Sequence, residues 1–201
     1  MTDKHVEFFW DVASPYTYLA ATQMDALAQR TGAVVQWRPF LLGGVFKATG
    51  NQMPAALPAK ARYMAVDLQR WAQSYGVGFH FPKIFPMRSV LAQRVVCAAQ
   101  AAADTPSRLP LALMHAYWVE GCDLAQPDEI ARVCEAAALD ADALLAAAGQ
   151  PQAKSQLQVN TAEAVQRGAF GAPTFFVGTR MFWGNDRLPL LEACLNDRLS
   201  V

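Results

Sequence analysis

Two stretches far apart in the chain carry residues whose types and spacing could do chemistry. The first is Asp11-Val12-Ala13-Ser14-Pro15-Tyr16-Thr17-Tyr18, directly after the apolar run Val6 to Trp10. This layout puts Ser14 where a strand feeds the N-terminus of a helix, with Pro15 in its first turn. Backbone N–H groups and the helix dipole favour an anion there. The anion expected here is a thiolate, brought by a small cofactor. The plain alternative is a structural cap: Ser accepts a bond from an orphan N–H, and Pro costs nothing at the next position. What favours chemistry is the second stretch, Gly168-Ala169-Phe170-Gly171-Ala172-Pro173-Thr174-Phe175-Phe176-Val177.

Composition sets bounds on what these residues serve. The chain has 201 residues, 53% of them hydrophobic, enough for one domain or one domain with a large insertion. Formal net charge is +0, with no basic stripe, so nucleic acid is not an expected partner. The apolar runs are too short to span a bilayer, and no signal peptide is expected. Cys97, Cys122, Cys134 and Cys194 form no C-x-x-C pair and read as small buried residues of a reducing compartment, the cytoplasm. His5, His80 and His115 are scattered, so no metal site is expected.

The elements that must position the chemistry follow from periodicity. Val6 to Trp10 reads as a strand buried on both faces. A single helix is expected from Pro15 to about Arg30, with Tyr16, Leu19, Ala20, Met24 and Leu27 at helical spacing and Gly32 as left-handed cap. Ala33 to Phe40 reads as a second strand, parallel to the first through a right-handed crossover, with Pro39 at its end or on an edge. Leu41 to Pro58 reads as a loop. Its polar members Lys47 and Asn51 read most plainly as a solvated charge and a turn residue.

From Ala59 to Arg167 every periodic segment is helical, apart from an aromatic extended connector at Phe79 to Pro86. Thr174 to Val177 and Arg180 to Trp183, joined by Gly178-Thr179, read as an antiparallel hairpin. A last helix opens at Gly184-Asn185-Asp186, where Asn185 or Asp186 as N-cap is the plain explanation of the polar residues.

The order β-α-β, helical block, α-β-β-α is an α/β, thioredoxin-like βαβ…ββα pattern with an inserted all-helical subdomain. The expected boundaries are 1–58 and 168–201 for the thioredoxin-like domain and 59–167 for the insertion. In such a fold the first β–α junction carries the chemistry, and a proline opening the third strand lies opposite it. The Ala172–Pro173 bond is therefore expected to be cis. The junction residues Ser14-Pro15-Tyr16-Thr17 contain no thiol, which excludes disulfide exchange at this site.

Further marks recur in order along nearly the whole chain: Asp11-x-x-Ser14-Pro15-Tyr16, Gly50-Asn51, Pro58-Ala59-Lys60, Asp67-Leu68 and Phe81-Pro82. Gly168-x-Phe170-Gly171-x-Pro173-Thr174 and Phe182-Trp183-Gly184-Asn185-Asp186-Arg187 complete the set. In these the sequence resembles the family of 2-hydroxychromene-2-carboxylate isomerases and kappa-class glutathione transferases, relatives of the disulfide-bond oxidoreductases. The resemblance implies glutathione as cofactor and a homodimer. It implies that Ser14 donates a hydrogen bond to the glutathione sulfur. Pro15, Tyr16, Asn51, Ala172 and Pro173 are implied around the tripeptide. Asn185 and Asp186 are implied at its γ-glutamyl end, with Asp186 meeting the ammonium. Lys47, Arg88 and Trp183 are the candidates for an aromatic carboxylate substrate.

A free thiol of pKa about 8.5 is only about 3% ionised near neutral pH, and lowering it by two units takes about 2.7 kcal/mol. A hydroxyl donor at a helix N-terminus suits that demand. The first reaction implied is cis–trans isomerisation of 2-hydroxychromene-2-carboxylate in naphthalene-type catabolism. The alternative is a kappa-class transferase conjugating glutathione to an electrophile, and a third reading is a non-catalytic binder. The Trp183 to Arg187 run leans to the isomerase, whereas Pro58-Ala59-Lys60 and His80-Phe81-Pro82-Lys83 are shared with the transferases. Arg88 stands where many relatives have Asn. It is either a cation for an anionic substrate or a surface charge.

Overall fold

The computed structural model describes residues 4–102 and 108–199. Its centre is a four-stranded sheet in the order β2-β1-β3-β4. The strands are β1 (His5–Trp10), β2 (Val34–Pro39), β3 (Thr174–Val177) and β4 (Arg180–Trp183). β1 and β2 are parallel with Phe8 opposite Trp37, and β2 lies at an edge, ending at Pro39 as expected. β3 runs antiparallel to both β1 and β4, with Phe175 opposite Phe8 and Phe182.

Alternation along β1 sends successive side chains to opposite faces. Phe8 stacks on Phe175 with ring centroids 4.9 Å apart and belongs to the larger core. Phe9 joins Phe40, Val45, Ala164 and Phe176 on the other face. There the Arg167 guanidinium sits 3.8 Å from the centroid of the Phe176 ring. Glu7 bonds both Arg38, at 2.8 Å, and Arg167, at 2.7 Å; Glu163 pairs with the same two arginines.

The single helix expected after β1 is two, α1 (Pro15–Ala21) and α2 (Met24–Thr31). The Thr22 hydroxyl turns back to the Leu19 carbonyl at 2.7 Å, and the Gln23 N–H bonds Ala20 O at 2.9 Å, tightening the turn that separates them. Gly32, at φ +70°, closes α2 in the left-handed conformation as expected.

The segment read as a loop contains a helix, α3 (Leu42–Thr49), and a 3₁₀ turn at Pro54–Ala56. Its N-terminal donors find partners remote in sequence: Leu42 N–H on Asp11 Oδ2 at 2.8 Å, and Leu41 N–H on Thr161 Oγ1 at 3.0 Å. A Cβ on Gly44 would lie 3.2 Å from Thr161 Cγ2, so the glycine that reads as loop is a close-packing residue.

Between β2 and β3 come α4 (Pro58–Tyr75), α5 (Val90–Ala101), α6 (Arg108–Trp118), α7 (Pro127–Ala136), α8 (Ala141–Ala148) and α9 (Pro151–Gln166). α9 starts about a turn before its expected position, with Pro151 at its N-terminus. α5 and α9 close the free edge of β2: Gln100 donates to Trp37 O at 2.7 Å and Asn160 to Pro39 O at 2.9 Å. Gln93 donates to both Trp10 O, at 2.8 Å, and Phe40 O, at 3.0 Å, fastening the ends of β1 and β2 together.

Ala172–Pro173 is cis as expected, and Phe85–Pro86 is cis as well. The chain ends with a 3₁₀ turn at Asn185–Arg187 and α10 (Leu188–Leu195), and neither Asn185 nor Asp186 caps that helix with its side chain. Among the described residues, no helix is long and apolar enough to cross a membrane.

Candidate active site

Ser14 is the N-cap of α1: its Oγ accepts the Thr17 N–H at 3.3 Å, with Pro15 in the first turn. The capping reading of the Ser-Pro pair therefore holds, and the same hydroxyl also donates outward, to Ala172 O at 3.3 Å. The residue before the cis-proline and the first β–α junction thus meet through the Ser14 side chain. With Ser14 4% exposed, its hydroxyl is kept from bulk water and faces only the cavity beside it.

The Ser14 turn is organised by Asp11. The Asp11 carbonyl accepts the Ser14 N–H at 3.0 Å. Its carboxylate accepts Ala13 N–H at 3.0 Å, Leu42 N–H at 2.8 Å and the Ser89 hydroxyl at 3.1 Å. One buried side chain therefore joins the β1–α1 junction, the start of α3 and the residue preceding α5. Burial pushes its carboxyl above the ordinary value, and the three donors pull the other way.

The cavity has a volume of about 1200 Å³. Its floor is Ser14, Pro15 and Tyr16 with Gly171 and Ala172. One wall is the Leu42–Phe46 side of α3 with Asn51 and Met53. A second is the face of α4 carrying Lys60, Tyr63, Met64, Asp67 and Trp71, spaced as one side of a helix. The third runs from Phe85 to Val90, and Trp183 to Asp186 closes the far end. Most of this surface is carbon, with polar groups at a few points, as in small-molecule sites.

Those points are fixed locally. Tyr16 donates to Asp67 Oδ2 at 2.8 Å and Tyr63 to Asp67 Oδ1 at 3.4 Å. Burial first, then the Asp67 partner, pushes the Tyr16 phenol well above its ordinary value, so it stays a donor. Asn51 Nδ2 donates to Phe170 O at 2.8 Å, tying the segment after α3 to the loop before the cis-proline. Gly171 is required there: a Cβ would lie 2.5 Å from Trp183 Nε1, in the ring that packs on Phe170 at 4.7 Å. At the far end Gly184 has φ +105°, open to glycine alone, and a Cβ on it would meet Asp186 Oδ1 at 2.5 Å. Asn185 is 2% exposed and bonds Tyr75, while Asp186 pairs with Arg187 at 2.6 Å.

The structure brings Ser14, Pro15, Tyr16, Asn51, Ala172, Asn185, Asp186, Arg88 and Trp183 to this one cavity. Pro173, expected at the cofactor, is not among the residues lining the cavity; it directly precedes β3. Lys47 does not line the cavity: it is exposed in the last turn of α3, a helix that turns Leu42 and Phe46 inward instead. Arg88 is both exposed and on the cavity wall, so the two readings of it are not exclusive. Sequence reasoning missed Lys60, Tyr63 and Asp67 as site residues, although their i, i+3, i+7 spacing on α4 was a readable signal. The reach of Asp11 to partners 31 and 78 residues away had no local signal.

Comparison with known proteins agrees with this architecture. The DSBA-like thioredoxin domain family matches residues 5–196. The chain is 35% identical over 196 residues to a 2-hydroxychromene-2-carboxylate isomerase of Sphingobium xenophagum, covering 96% of this chain and 99% of the relative. It is 32% identical over 208 residues to glutathione S-transferase kappa 1 of Homo sapiens, covering 96% of this chain and 91% of that protein. A solved 2-hydroxychromene-2-carboxylate isomerase superposes with a TM-score of 0.84 at 31% identity, covering 96% of this chain and 95% of the other.

Proposed function

The chain belongs to the DSBA-like thioredoxin family, in the group of 2-hydroxychromene-2-carboxylate isomerases and kappa-class glutathione transferases, and is an isomerase-type enzyme of that group; we propose that it converts 2-hydroxychromene-2-carboxylate to trans-o-hydroxybenzylidenepyruvate with glutathione as cofactor. The observation that carries this reading is the Ser14 hydroxyl against the Ala172 carbonyl, on the floor of a large apolar cavity. The residues present fit a γ-glutamyl tripeptide. Ala172 O is an acceptor for an amide N–H, Asp186 suits an ammonium, and Asn51 and Lys60 offer donors for a carboxylate. When bound, glutathione supplies a thiolate nucleophile that adds reversibly to a conjugated carbon and leaves after the former double bond has rotated.

The chain's residues supply the rest. The Ser14 hydroxyl has a single proton. Donated to a bound sulfur instead, that proton would leave Ala172 O free to accept an amide N–H of the tripeptide. The Thr17 N–H keeps the Ser14 oxygen in place through this exchange. The carbon walls exclude water, strengthening that charge-assisted bond and protecting the substrate from hydration. The same reading makes the chain a cytoplasmic homodimer. Its four cysteines are all free, in keeping with a reducing compartment.

The testing experiment follows absorbance of 2-hydroxychromene-2-carboxylate with purified protein, with and without glutathione, alongside a free-thiol assay. Conversion that requires glutathione and leaves the thiol pool intact supports the isomerase. Thiol loss with a generic aromatic electrophile and no conversion supports the transferase instead, and redirects the reading to conjugation.

A further inference from the structure

We propose that Arg88 recognises the carboxylate of the substrate, making this cavity selective for anionic aromatic acids over their neutral analogues. The proposal rests on the reading of the cavity as a site shared by a thiol cofactor and an aromatic partner. Every acidic side chain on the cavity wall is already engaged. Asp11 holds three donors, Asp67 takes two phenols, and Asp186 pairs with Arg187. Lys60 and Arg88 also line the cavity, and among the described residues neither forms an ion pair or a side-chain hydrogen bond. The carbon-rich wall therefore offers unspent positive charge, which an entering anion gains from and a neutral analogue does not.

The two cations serve different ends. Lys60 lies in the first turn of α4, which packs on the Pro54–Ala56 turn close after Asn51. That is the side assigned above to the tripeptide. Arg88 directly precedes Ser89, whose hydroxyl bonds Asp11 Oδ2 at 3.1 Å. Asp11 in turn holds the Ala13 and Ser14 N–H groups at 3.0 Å each. Arg88 thus lines the cavity one residue from a side chain bonded to the carboxylate that shapes the Ser14 turn. Phe85 and Pro86 beside it give a flat apolar surface for a planar ring. A guanidinium next to such a surface suits an aryl carboxylate, through a two-pronged bond to its oxygens. Because Arg88 is exposed, solvent limits the gain to about tenfold in affinity.

The test is calorimetric titration of trans-cinnamate and trans-cinnamamide into the glutathione-saturated protein, as wild type, Arg88→Leu and Arg88→Lys. The expected result is that the wild type binds cinnamate about tenfold tighter than the amide. Arg88→Leu abolishes that ratio without changing amide or glutathione affinity, and Arg88→Lys keeps part of it. A wild type without preference, no saturable binding of cinnamate, or a preference that survives in Arg88→Leu overturns the assignment. Loss of the preference in Arg88→Leu, in a protein that fails to isomerise hydroxychromene carboxylate, would reject the proposed reaction while leaving the carboxylate site standing.

Discussion

Replacing Ser14 by alanine isolates the bond on which the proposed chemistry depends. In the structure the hydroxyl does two things: it accepts the Thr17 N–H and donates to Ala172 O, both at 3.3 Å. On the proposed reading, the donated bond would go to sulfur once glutathione is bound. A hydrogen bond to a charged group contributes about 1.5–3 kcal/mol, or roughly 1.1–2.2 pKa units for the bound thiol. If the wild type holds that thiol near pKa ~6.5, about three quarters is thiolate near neutral pH; in Ser14→Ala the thiolate share falls to between roughly 20% and 2%. Turnover near neutral pH then drops about four- to forty-fold, and the gap narrows as pH rises above the variant's pKa. Lost capping lowers stability by about 1 kcal/mol, which thermal unfolding reads separately. The assay is an ultraviolet titration of thiolate absorbance in the protein–glutathione complex, paired with a pH–rate profile. An unmoved titration, or a rate ratio constant across pH, would refute the role given to the hydroxyl.

Two further outcomes follow from the geometry. Gly184→Ala forces a Cβ to within 2.5 Å of Asp186 Oδ1 at φ +105°, costing roughly 1–3 kcal/mol. It should lower the melting temperature and weaken glutathione binding together; retention of both would show that Asp186 is not held by this turn. Burial alone would raise the Glu163 carboxyl, but Arg38 and Arg167 outweigh it and hold it below the ordinary value of about 4.5. A carboxyl lowered by folding stabilises the protein above its unfolded value and loses that contribution as pH falls through the folded one. The melting temperature of wild type should therefore fall more steeply than that of Glu163→Gln below pH about 4.5. Parallel acid limbs would contradict the pairing.

The parts of the molecule legible in the sequence are those whose signals are local. The hairpin of β3 and β4 was bounded by its Gly178-Thr179 turn, β1 by its apolar run, and the Ala172–Pro173 bond by the pattern around it. The meeting of Ser14 with Ala172, 158 residues apart, was legible only through the order of elements. What escaped was set by remote partners. α3 looked like a loop because Gly43 and Gly44 lower helix propensity, whereas Asp11 and Thr161 supply its N-terminal acceptors. The expected helix from Pro15 broke because the Thr22 hydroxyl competes for a backbone carbonyl. Lys47 was singled out by charge in a segment thought irregular. Once that segment is helical, Phe46 faces the cavity, and the lysine on the cavity wall is Lys60, from the next helix.

The most direct test of the central claim replaces glutathione by S-methylglutathione, which keeps both ends of the tripeptide and lacks only the thiol. The account predicts that it competes with glutathione for the site and supports no conversion of 2-hydroxychromene-2-carboxylate, while a catalytic amount of glutathione supports many turnovers. Conversion with the methylated cofactor at a comparable rate would contradict a sulfur nucleophile held at Ser14.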